Sequence, residues 1–361
     1  MKILHLIDSG GLYGAEQMLL ALTEEQIKQG LQPVILSCGL PDEADKALEI
    51  EAEKRNIPVI KWRMKSGLNF KGAWEIIKRA QKEQVDIFHS HGYKFNILFA
   101  IFPRFVQKKP FLTTVHGYVH APKYSASWVY QILDKICLKQ MHRVVFVSQQ
   151  TQKSFLSLKN FNVISNGIST TIQSKIELNE RFDGHSIKLL AVGRLAVEKG
   201  FEFILQAIYD ANMAGKKISV DIMGTGNELD NLQKMVQTLK LNSNVKFLGF
   251  IEEPSRYFYA YDALIMPSLT EGLPITLLEA LREKLPVLAS NVGEIPFVLE
   301  EHCPLINVDE DLPFLYKNIC EFECFYNTSG EQAQLALYDK FRNEYSSKNM
   351  ASKYKAVYEN M

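Results

Sequence analysis

The chain has 361 residues, of which 47% are hydrophobic and 23% charged, and this ordinary globular composition excludes disordered, collagen-like and coiled-coil proteins. At roughly 150 residues per domain, the length predicts two domains, each large enough to have its own core. Basic and acidic residues balance at 41 each, but residues 1–167 hold 22 basic and 14 acidic side chains, so that half carries +8 and the remainder −8. This asymmetry indicates an anionic partner for the basic half.

Short apolar runs rich in β-branched residues predict the strands of both halves. In the first half they lie at residues 2–7, 33–37, 57–61, 85–89, 111–115, 143–147 and 162–165. In the second half they lie at residues 187–192, 218–223, 245–250, 263–266 and 286–290. Continuous rather than alternating hydrophobicity is typical of strands covered on both faces by helices, so we expect two doubly wound parallel sheets in tandem.

Two further stretches complete this organisation. The polar residues 169–185 lack a long apolar run and separate the two halves. The last segment carries four apolar or aromatic residues at helical spacing, namely Met350, Tyr354, Val357 and Tyr358. An amphipathic final helix has to pack this face against another part of the protein.

Glycines follow the first predicted strand, at the edge where parallel sheets bind ligands. Gly10, Gly11 and Gly14 precede an apolar helix, and there they permit a close approach of the backbone to an anion such as a diphosphate. Glycines of a tight turn that binds nothing are the alternative. A dinucleotide is disfavoured, because residues 37–39 after the second strand lack the acidic residue that would hold a ribose.

Histidines follow the fourth and fifth predicted strands. We expect His89 to be structural and to bond neighbouring backbone, whereas His91 stays open between a structural and a functional role. His116 precedes a glycine and is expected to project beyond its strand. An imidazole at that place can bond to a sugar hydroxyl or to developing charge.

Two cations follow the first strand of the second half. Arg194 and Lys199 are five residues apart and are flanked by Gly193 and Gly200. If they converge on one spot, they can neutralise a departing diphosphate without a metal, whereas surface cations are more often merely solvated. The next strand ends in a second glycine-rich loop, residues 224–226, which is compatible with a ribose or base lying against the backbone.

The most informative segment runs from residue 267 to residue 280. Pro274 suits the first turn of a helix, so Glu271 should lie in the loop before it and Glu279 on the helix. N–H groups of residues 273–276 would then face a phosphate, with a carboxylate on either side to accept hydroxyl hydrogens. A nucleotide diphosphate sugar has this layout. The alternative is a dipole-favoured Glu271 and a solvated Glu279.

These segments together resemble the retaining glycosyltransferases of family 4, which have the GT-B architecture of two facing Rossmann-like domains. The resemblance covers nearly the whole chain, through GGLYGAE, VHGY, SNGI, GRLAVEKG, MGTGNE and PSLTEGLPITLLEALREKLPVLAS. It implies an α/β fold class with two doubly wound parallel-sheet domains and a C-terminal crossover helix. The N-terminal, acceptor-side domain would be residues 1–167 plus 345–361, and the donor-binding domain residues 168–344.

The resemblance also implies roles for individual residues. Arg194 and Lys199 would hold the diphosphate and stabilise the leaving nucleotide, while His116 and Glu271 would contact the donor sugar. Glu279 would bind the ribose, and Ile251 would offer its backbone to the base. The catalytic set is His116, Arg194, Lys199 and Glu271. The donor-binding set is Gly14, Gly193, Gly224, Ile251, Gly272, Leu273, Pro274 and Glu279. The acceptor-side candidates are Gly11, His91 and Asn166.

The activity implied is transfer of a hexose or N-acetylhexosamine, with retention by front-face attack, from a nucleotide diphosphate sugar. A UDP-sugar is favoured over a GDP-sugar, and a glycan or polyprenyl-pyrophosphate-linked acceptor is expected, in bacterial O-antigen, capsule or exopolysaccharide synthesis. No cofactor or metal is expected: no Asp-x-Asp motif is present, and residues 309–311 are interpreted as a solvated loop. Two alternatives remain, a nucleotide-sugar epimerase of similar architecture and a non-catalytic nucleotide-sugar-binding module.

The basic excess is concentrated at residues 61–109, which contain 11 basic and 3 acidic side chains. They form either the solvated face of a helix around Lys78, Arg79 and Lys82 or a surface for an anionic acceptor at a membrane. Five scattered cysteines favour a reducing compartment, and neither a signal peptide nor a membrane span is recognised. We therefore expect a cytoplasmic protein, in peripheral contact with anionic membrane and without a nucleic-acid partner.

Overall fold

The computed structural model describes residues 1–8, 10–12, 14–65, 67–102, 108–116, 124–153, 155, 158–172, 186–308 and 314–361. The chain divides into two units, Met1–Ser169 with Tyr345–Met361, and Thr170–Glu344. Most of the polar stretch between the predicted domains and the predicted loop at residues 309–311 lie outside the described residues.

The first unit is built on a seven-stranded parallel sheet with the strand order β3-β2-β1-β4-β5-β6-β7. Its strands are β1 Lys2–Ile7, β2 Gln32–Gly39, β3 Val59–Arg63, β4 Ile87–Ser90, β5 Phe111–Val115, β6 Arg143–Phe146 and β7 Phe161–Val163. Its helices before the crossing are α1 Gly14–Lys28, α2 Ala47–Lys54, α3 Phe70–Lys82, α4 Tyr93–Ala100, α5 Ala126–Cys137 and α6 Gln149–Lys153. Strands β1, β4 and β5 are buried almost throughout, as their continuous hydrophobicity predicts.

The second unit has a six-stranded parallel sheet with the order β10-β9-β8-β11-β12-β13. Its strands are β8 Ile187–Val192, β9 Ile218–Met223, β10 Val245–Gly249, β11 Ala263–Met266, β12 Val287–Ser290 and β13 Leu305–Ile306. Its helices are α7 Phe201–Met213, α8 Leu229–Thr238, α9 Ile275–Arg282, α10 Ile295–Leu299 and α11 Leu315–Glu344. The predicted class, two Rossmann-like doubly wound parallel sheets, is confirmed.

The last helix, α12 Ser347–Glu359, packs on the first unit. Its apolar face, with Met350 and Tyr354 each 1% exposed, joins a core cluster with Ile3 of β1 and Leu112 of β5. The returning chain approaches so closely that a Cβ on Gly167 would lie 2.5 Å from the carbonyl oxygen of Ser346. The helical spacing of the apolar residues in this last segment is therefore explained by their packing, because α12 completes the core of the first unit.

None of the helices among the described residues combines the length and the hydropathy that crossing a bilayer requires.

Candidate active site

Each sheet has a point at which the direction of winding reverses. In the first sheet β1 and β4 are neighbours at this point, and in the second sheet β8 and β11 are. Connections that leave such neighbouring strands diverge to opposite faces of the sheet and open a crevice in which doubly wound folds bind ligands. Gly11, Gly14 and His91 follow the first pair of strands, and Lys199 and Glu271 follow the second.

Lys199 and Glu271 form an ion pair at the edge of the second sheet. Lys199 Nζ lies 2.6 Å from Glu271 Oε1, which also accepts a hydrogen bond from Ser268 Oγ at 2.8 Å. The side chains are 25% and 8% exposed, respectively. Because the pair is shielded from bulk water, its attraction is stronger than that of a fully solvated pair. The structure thus brings together a predicted cation and a predicted carboxylate that are distant in sequence.

The loop that carries Lys199 is fixed by a close backbone approach. Gly200 has φ +67°, and a Cβ there would lie only 2.2 Å from the carbonyl oxygen of Pro267. The N–H of Leu269 also donates to the carbonyl oxygen of Glu198 at 2.9 Å. Only glycine tolerates both this conformation and this contact, so Lys199 is held firmly against the loop that contains Glu271.

Gly224, a predicted donor-binding residue of the neighbouring loop, is packed in the same way. Gly224 has φ +144°, and a Cβ on it would lie 1.8 Å from the carbonyl oxygen of Gly193. The N–H of Gly193 donates to Met223 at 3.0 Å, and the N–H of Gly224 donates to Gly249 at 2.7 Å. Ile251 follows two residues after Gly249 and is half-buried. Gly193 and Gly224 therefore have a structural role in joining the loops, and their contact with a ligand stays a prediction.

Arg194 and Lys199 each pair with their own carboxylate. Arg194 Nη2 lies 2.5 Å from Glu198 Oε1, and the arginine side chain is 72% exposed. At this exposure the pair contributes little to stability. An anion that approaches Arg194 competes with Glu198, just as an anion that approaches Lys199 competes with Glu271.

Helix α9 begins one residue later than the sequence suggests. Pro274 was expected inside the first turn, but it is the residue before the helix, with an extended conformation at φ −70° and ψ 128°. Because proline has no N–H, the amides that residues 273–276 offer belong to Leu273, Ile275 and Thr276. A Cβ on Gly272 would meet no described atom within 4 Å, so packing does not require glycine at this position. The open space is consistent with a close approach by a ligand.

Glu279 is the titratable group whose pKa is most unusual in the second unit's site. Burial raises the pKa of Glu279 to about 7; Arg282 opposes this shift, while Glu283 and Glu253 add to it through repulsion between like charges. The side chain of Glu279 is half-buried, unlike that of a fully solvated helix glutamate. A carboxyl group with this pKa changes its charge near neutral pH.

Four histidines form one buried cluster beside β1, β4 and β5. His5 Nδ1 lies 3.0 Å from His91 Nε2, and His91 Nδ1 lies 3.3 Å from His116 Nε2. His89 bonds Tyr358 OH at 2.7 Å and Thr114 Oγ1 at 2.8 Å. The expectation that His89 is structural agrees with this burial, but its partners are side chains rather than neighbouring backbone.

His5 is not among the predicted site residues. The signal was a histidine in the middle of the otherwise apolar strand LHLI, and in the parallel register His5 lies opposite His89. His116 is half-buried, and its Nδ1 atom is buried without a hydrogen-bond partner among the described residues. Asn166 Oδ1 is in the same situation. These two atoms are the unsatisfied polar groups of the predicted site in the first unit.

Metal binding by the histidine cluster has to compete with its hydrogen bonds. One ring nitrogen each from His5, His89 and His91 lies within 4.8 Å of the others, a spacing that could hold an ion. Both nitrogens of each ring, however, lie within 3.3 Å of another polar side chain. A metal would have to displace bonds in a network that already satisfies these rings.

The glycines after β1 sit in open space. A Cβ on Gly10 or Gly14 would meet no described atom within 4 Å, and Gly14 is the first residue of α1. Gly11 is half-buried. Internal packing therefore does not explain why glycine stands at position 14, which is exposed at the start of α1.

Two family profiles match consecutive parts of the chain. Residues 13–172 match the profile described as Glycosyltransferase Family 4, and residues 173–303 match that of Glycosyl transferases group 1. The chain belongs to glycosyltransferase family 4. The resemblance seen in the sequence motifs is thereby confirmed, and the protein is a glycosyltransferase.

Relatives of this glycosyltransferase include enzymes of bacterial surface polysaccharide synthesis. The O-antigen biosynthesis glycosyltransferase WclY of Escherichia coli is 26% identical over 298 residues, covering 77% of this chain and 80% of WclY. The Escherichia coli UDP-Gal:alpha-D-GlcNAc-diphosphoundecaprenol alpha-1,3-galactosyltransferase is 27% identical and covers 70% and 68%. The structure of Anabaena Alr3699/HepE in complex with UDP aligns over the full length of both chains with a TM-score of 0.83 at 18% identity. It shares the GT-B fold.

Acid should destabilise the first unit through its histidines. Burial lowers the pKa of His5 and His116 to about 4 and the pKa values of His89 and His91 well below 6.5. The unfolded chain therefore binds more protons between pH 6.5 and pH 4, so stability is present above pH 6.5 and is lost as the pH falls. A shift of this size at His5 alone corresponds to roughly 3 kcal/mol.

We expect the temperature of the thermal unfolding midpoint (Tm) to decrease when the pH is lowered from 7 to 5. His5→Gln should make this dependence of Tm on pH less steep. The titration of Glu279 changes stability with pH in the opposite direction. Because wild type and His5→Gln share Glu279, the difference in pH dependence between the two proteins isolates the contribution of His5. His302→Gln is the control, since His302 lies outside the cluster. An unchanged slope in His5→Gln would contradict the assignment.

Proposed function

We propose that this glycosyltransferase transfers a hexose or N-acetylhexosamine from a nucleotide diphosphate sugar to a glycan or lipid-linked acceptor, with retention and without a metal. The observation that carries the proposal is the arrangement after β8 and β11, where Lys199, paired with Glu271, lies in a glycine-packed crevice. The UDP-bound Anabaena structure with the same fold and the relative named for UDP-Gal favour a UDP-sugar.

The donor half of the reaction is assigned to the second unit. Arg194 and Lys199 bind the diphosphate and exchange their carboxylate partners for phosphate oxygens, which stabilises the leaving nucleotide. The amides of Leu273, Ile275 and Thr276 add uncharged donors at the start of α9. Glu279 accepts the ribose hydroxyl hydrogens, and the carboxylate of Glu271 orients the donor sugar. The leaving diphosphate takes the acceptor proton, so no protein nucleophile is needed.

The acceptor half is assigned to the first unit, which has a cavity of about 350 Å³ beside Asp8, Lys46, Lys94, Tyr93 and Tyr130. The rings of Tyr93 and Tyr130 stack with centroids 5.7 Å apart, and Tyr93 is 48% exposed. Lys94 Nζ lies 2.8 Å from Asp8 Oδ2. An aromatic face together with paired charged groups that both donate and accept hydrogen bonds suits a sugar, and the volume is that of a small-ligand pocket.

Removal of the cations tests the donor assignment. Lys199→Ala and Arg194→Ala should each lower transfer from radiolabelled UDP-hexoses to a polyprenyl-pyrophosphate-linked sugar by about 10²-fold, because each loses a preorganised charge at the leaving group. Lys234→Ala, an exposed lysine on α8, is the matched control and should keep wild-type activity.

The same assay separates the three functions. Transfer that depends on an acceptor supports the proposal, whereas sugar isomerisation without acceptor indicates an epimerase. Nucleotide-sugar binding without turnover indicates a binding module. Wild-type activity in both cation variants would sink the assignment of the diphosphate site.

Glu279 should make nucleotide affinity pH-dependent. It has to be ionised to accept two ribose hydroxyls, and with a pKa of about 7 it is mostly neutral at pH 6. We therefore expect calorimetric titration with UDP to show up to about tenfold weaker binding at pH 6 than at pH 8 in wild type. Glu279→Gln removes this titration and controls for the titration of UDP itself, so equal pH dependence in both proteins would refute the role.

A membrane contact is proposed for α3. Many basic residues of the stretch 61–109 are already ion-paired, among them Arg63 with Glu49 and Lys94 with Asp8. Helix α3, in contrast, exposes Lys71 and Lys78 beside Trp74, with Lys78 Nζ 5.3 Å from the centre of the indole ring. Exposed lysines next to an aromatic side chain suit the interface of an anionic lipid surface.

Sedimentation with anionic liposomes tests this contact. The wild-type protein should sediment at low salt and be released at high salt, because the attraction is screened. The double variant Lys71→Glu, Lys78→Glu should lose most of this binding, whereas Lys234→Glu on the second unit should not. Salt-independent binding, or none at all, would remove the membrane proposal and the expected location at the inner membrane face.

A further inference from the structure

The histidine cluster is linked to a single amide by a chain of hydrogen bonds. His5 Nε2 lies 2.9 Å from Gln26 Oε1, and the amide nitrogen of Gln26 donates to Tyr358 OH at 3.1 Å. From His5 the chain continues through His91 to His116 at 3.0 and 3.3 Å. Gln26 and His5 are completely buried. The chain therefore runs from α1 and the C-terminal helix α12 through buried side chains to the half-buried histidine after β5.

Each ring in this chain is neutral at neutral pH, because desolvation lowers its pKa. A neutral imidazole has one N–H donor and one bare acceptor nitrogen. Two neighbouring rings can therefore bond only if the donor of one meets the acceptor of the other. Once the tautomer of the first ring is fixed, the tautomers of the following rings are fixed as well.

Gln26 fixes the tautomer of His5, the first ring of the chain. Its Oε1 can only accept, so the proton of His5 is on Nε2 and His5 Nδ1 is an acceptor. His91 then donates from Nε2 to His5 Nδ1, and its own Nδ1 accepts from the Nε2–H of His116. The proton of His116 is consequently on Nε2. Its Nδ1, which is buried and unpartnered among the described residues, is an acceptor.

The opposite orientation of the amide would reverse every bond in the chain. If the nitrogen of Gln26 faced His5, then His5, His91 and His116 would each carry the proton on Nδ1, and His116 would present a donor. Tyr358 opposes this reversal. In the described orientation, its oxygen accepts from the amide nitrogen of Gln26. With the amide reversed, the hydroxyl of Tyr358 would have to donate to Gln26 Oε1, and His89 Nδ1, 2.7 Å away, would have to carry the proton that Tyr358 accepts.

We propose that Gln26 and Tyr358 are positioning residues that hold His116 in the tautomer whose Nδ1 accepts a hydrogen bond from a substrate hydroxyl. The functional part rests on the proposed contact of His116 with the donor sugar. His116 is then a hydrogen-bond acceptor rather than a general base, because burial lowers its pKa to about 4 and leaves it a weak base at neutral pH. This agrees with a reaction in which the leaving diphosphate receives the acceptor's proton.

Nitrogen-15 NMR of histidine-labelled full-length protein at pH 7.5, without ligand, reads the tautomers directly. His116→Asn identifies the signals of His116. In wild type we expect His5, His91 and His116 all to carry the proton on Nε2. Gln26→Leu removes the group that fixes the direction and should give a mixture of tautomers at His116, whereas Gln26→Glu keeps an acceptor oxygen towards His5 and should restore the wild-type tautomer. Tyr358→Phe should also give a mixture, because it frees the amide to reverse.

Activity provides the second readout. Gln26→Leu and Tyr358→Phe should each lower kcat/KM for the nucleotide-sugar donor by about tenfold, because each variant loses one oriented hydrogen bond to the substrate. Gln26→Glu should recover the wild-type value. Thr23→Val is the matched control. Thr23 is buried on the same helix, and its hydrogen-bond partners among the described residues are the carbonyl oxygens of Leu19 and Leu20. This variant should therefore change neither the tautomer nor kcat/KM.

The outcomes separate the proposal from the proposed function. A proton on Nδ1 of His116 in wild type, or a wild-type tautomer in Gln26→Leu, overturns the assignment whether or not transfer is observed. Mixed tautomers in Gln26→Leu with unchanged kcat/KM overturn the role of the tautomer in the reaction. If no sugar is transferred by wild type, the proposed function fails while the NMR result still decides the tautomers.

Discussion

The close approach of backbone segments at the carboxyl edge of the second sheet is the constraint on which the candidate site depends. The carbonyl oxygens of Pro267 and Gly193 lie where any side chain at Gly200 or Gly224 would collide with them. Three loops can therefore touch without side chains between them, and their polar groups bond to one another. This packing sets Lys199 beside Glu271 and leaves the start of α9 open.

The cations of the site are held in place before a ligand binds, and carboxylates neutralise their charge. Each predicted cation already has a carboxylate partner: Glu198 for Arg194 and Glu271 for Lys199. A bare pair of cations would repel each other and restrict neither side chain. The carboxylates hold the cations in place and offer them to a more highly charged anion by exchange. The affinity for that anion is therefore a difference between two ionic interactions.

The fold was largely predictable, because strand position depends on local hydrophobicity. β1, β8 and β11 start and end at the predicted residues, since burial on both faces selects most of their composition. The strand pattern predicts that Lys199 and Glu271 lie near each other, but it does not predict that they form an ion pair. The buried histidine network was not predictable in full, because His5 meets its partners through the register of β1 with β4, and Gln26 and Tyr358 come from distant helices. The pKa of Glu279 likewise depends on burial that helical spacing alone does not reveal.

The return of the chain to the first unit also has a consequence for biosynthesis. Residues 345–361 leave the ribosome after the whole second unit, yet Met350 and Tyr354 belong to the core that contains Ile3 and Leu112. The second unit, residues 170–344, is complete before this helix is made. During translation, therefore, the unit that is begun first is finished only after the second unit. Its buried histidines and apolar strands lack their cover until helix α12 has been synthesised.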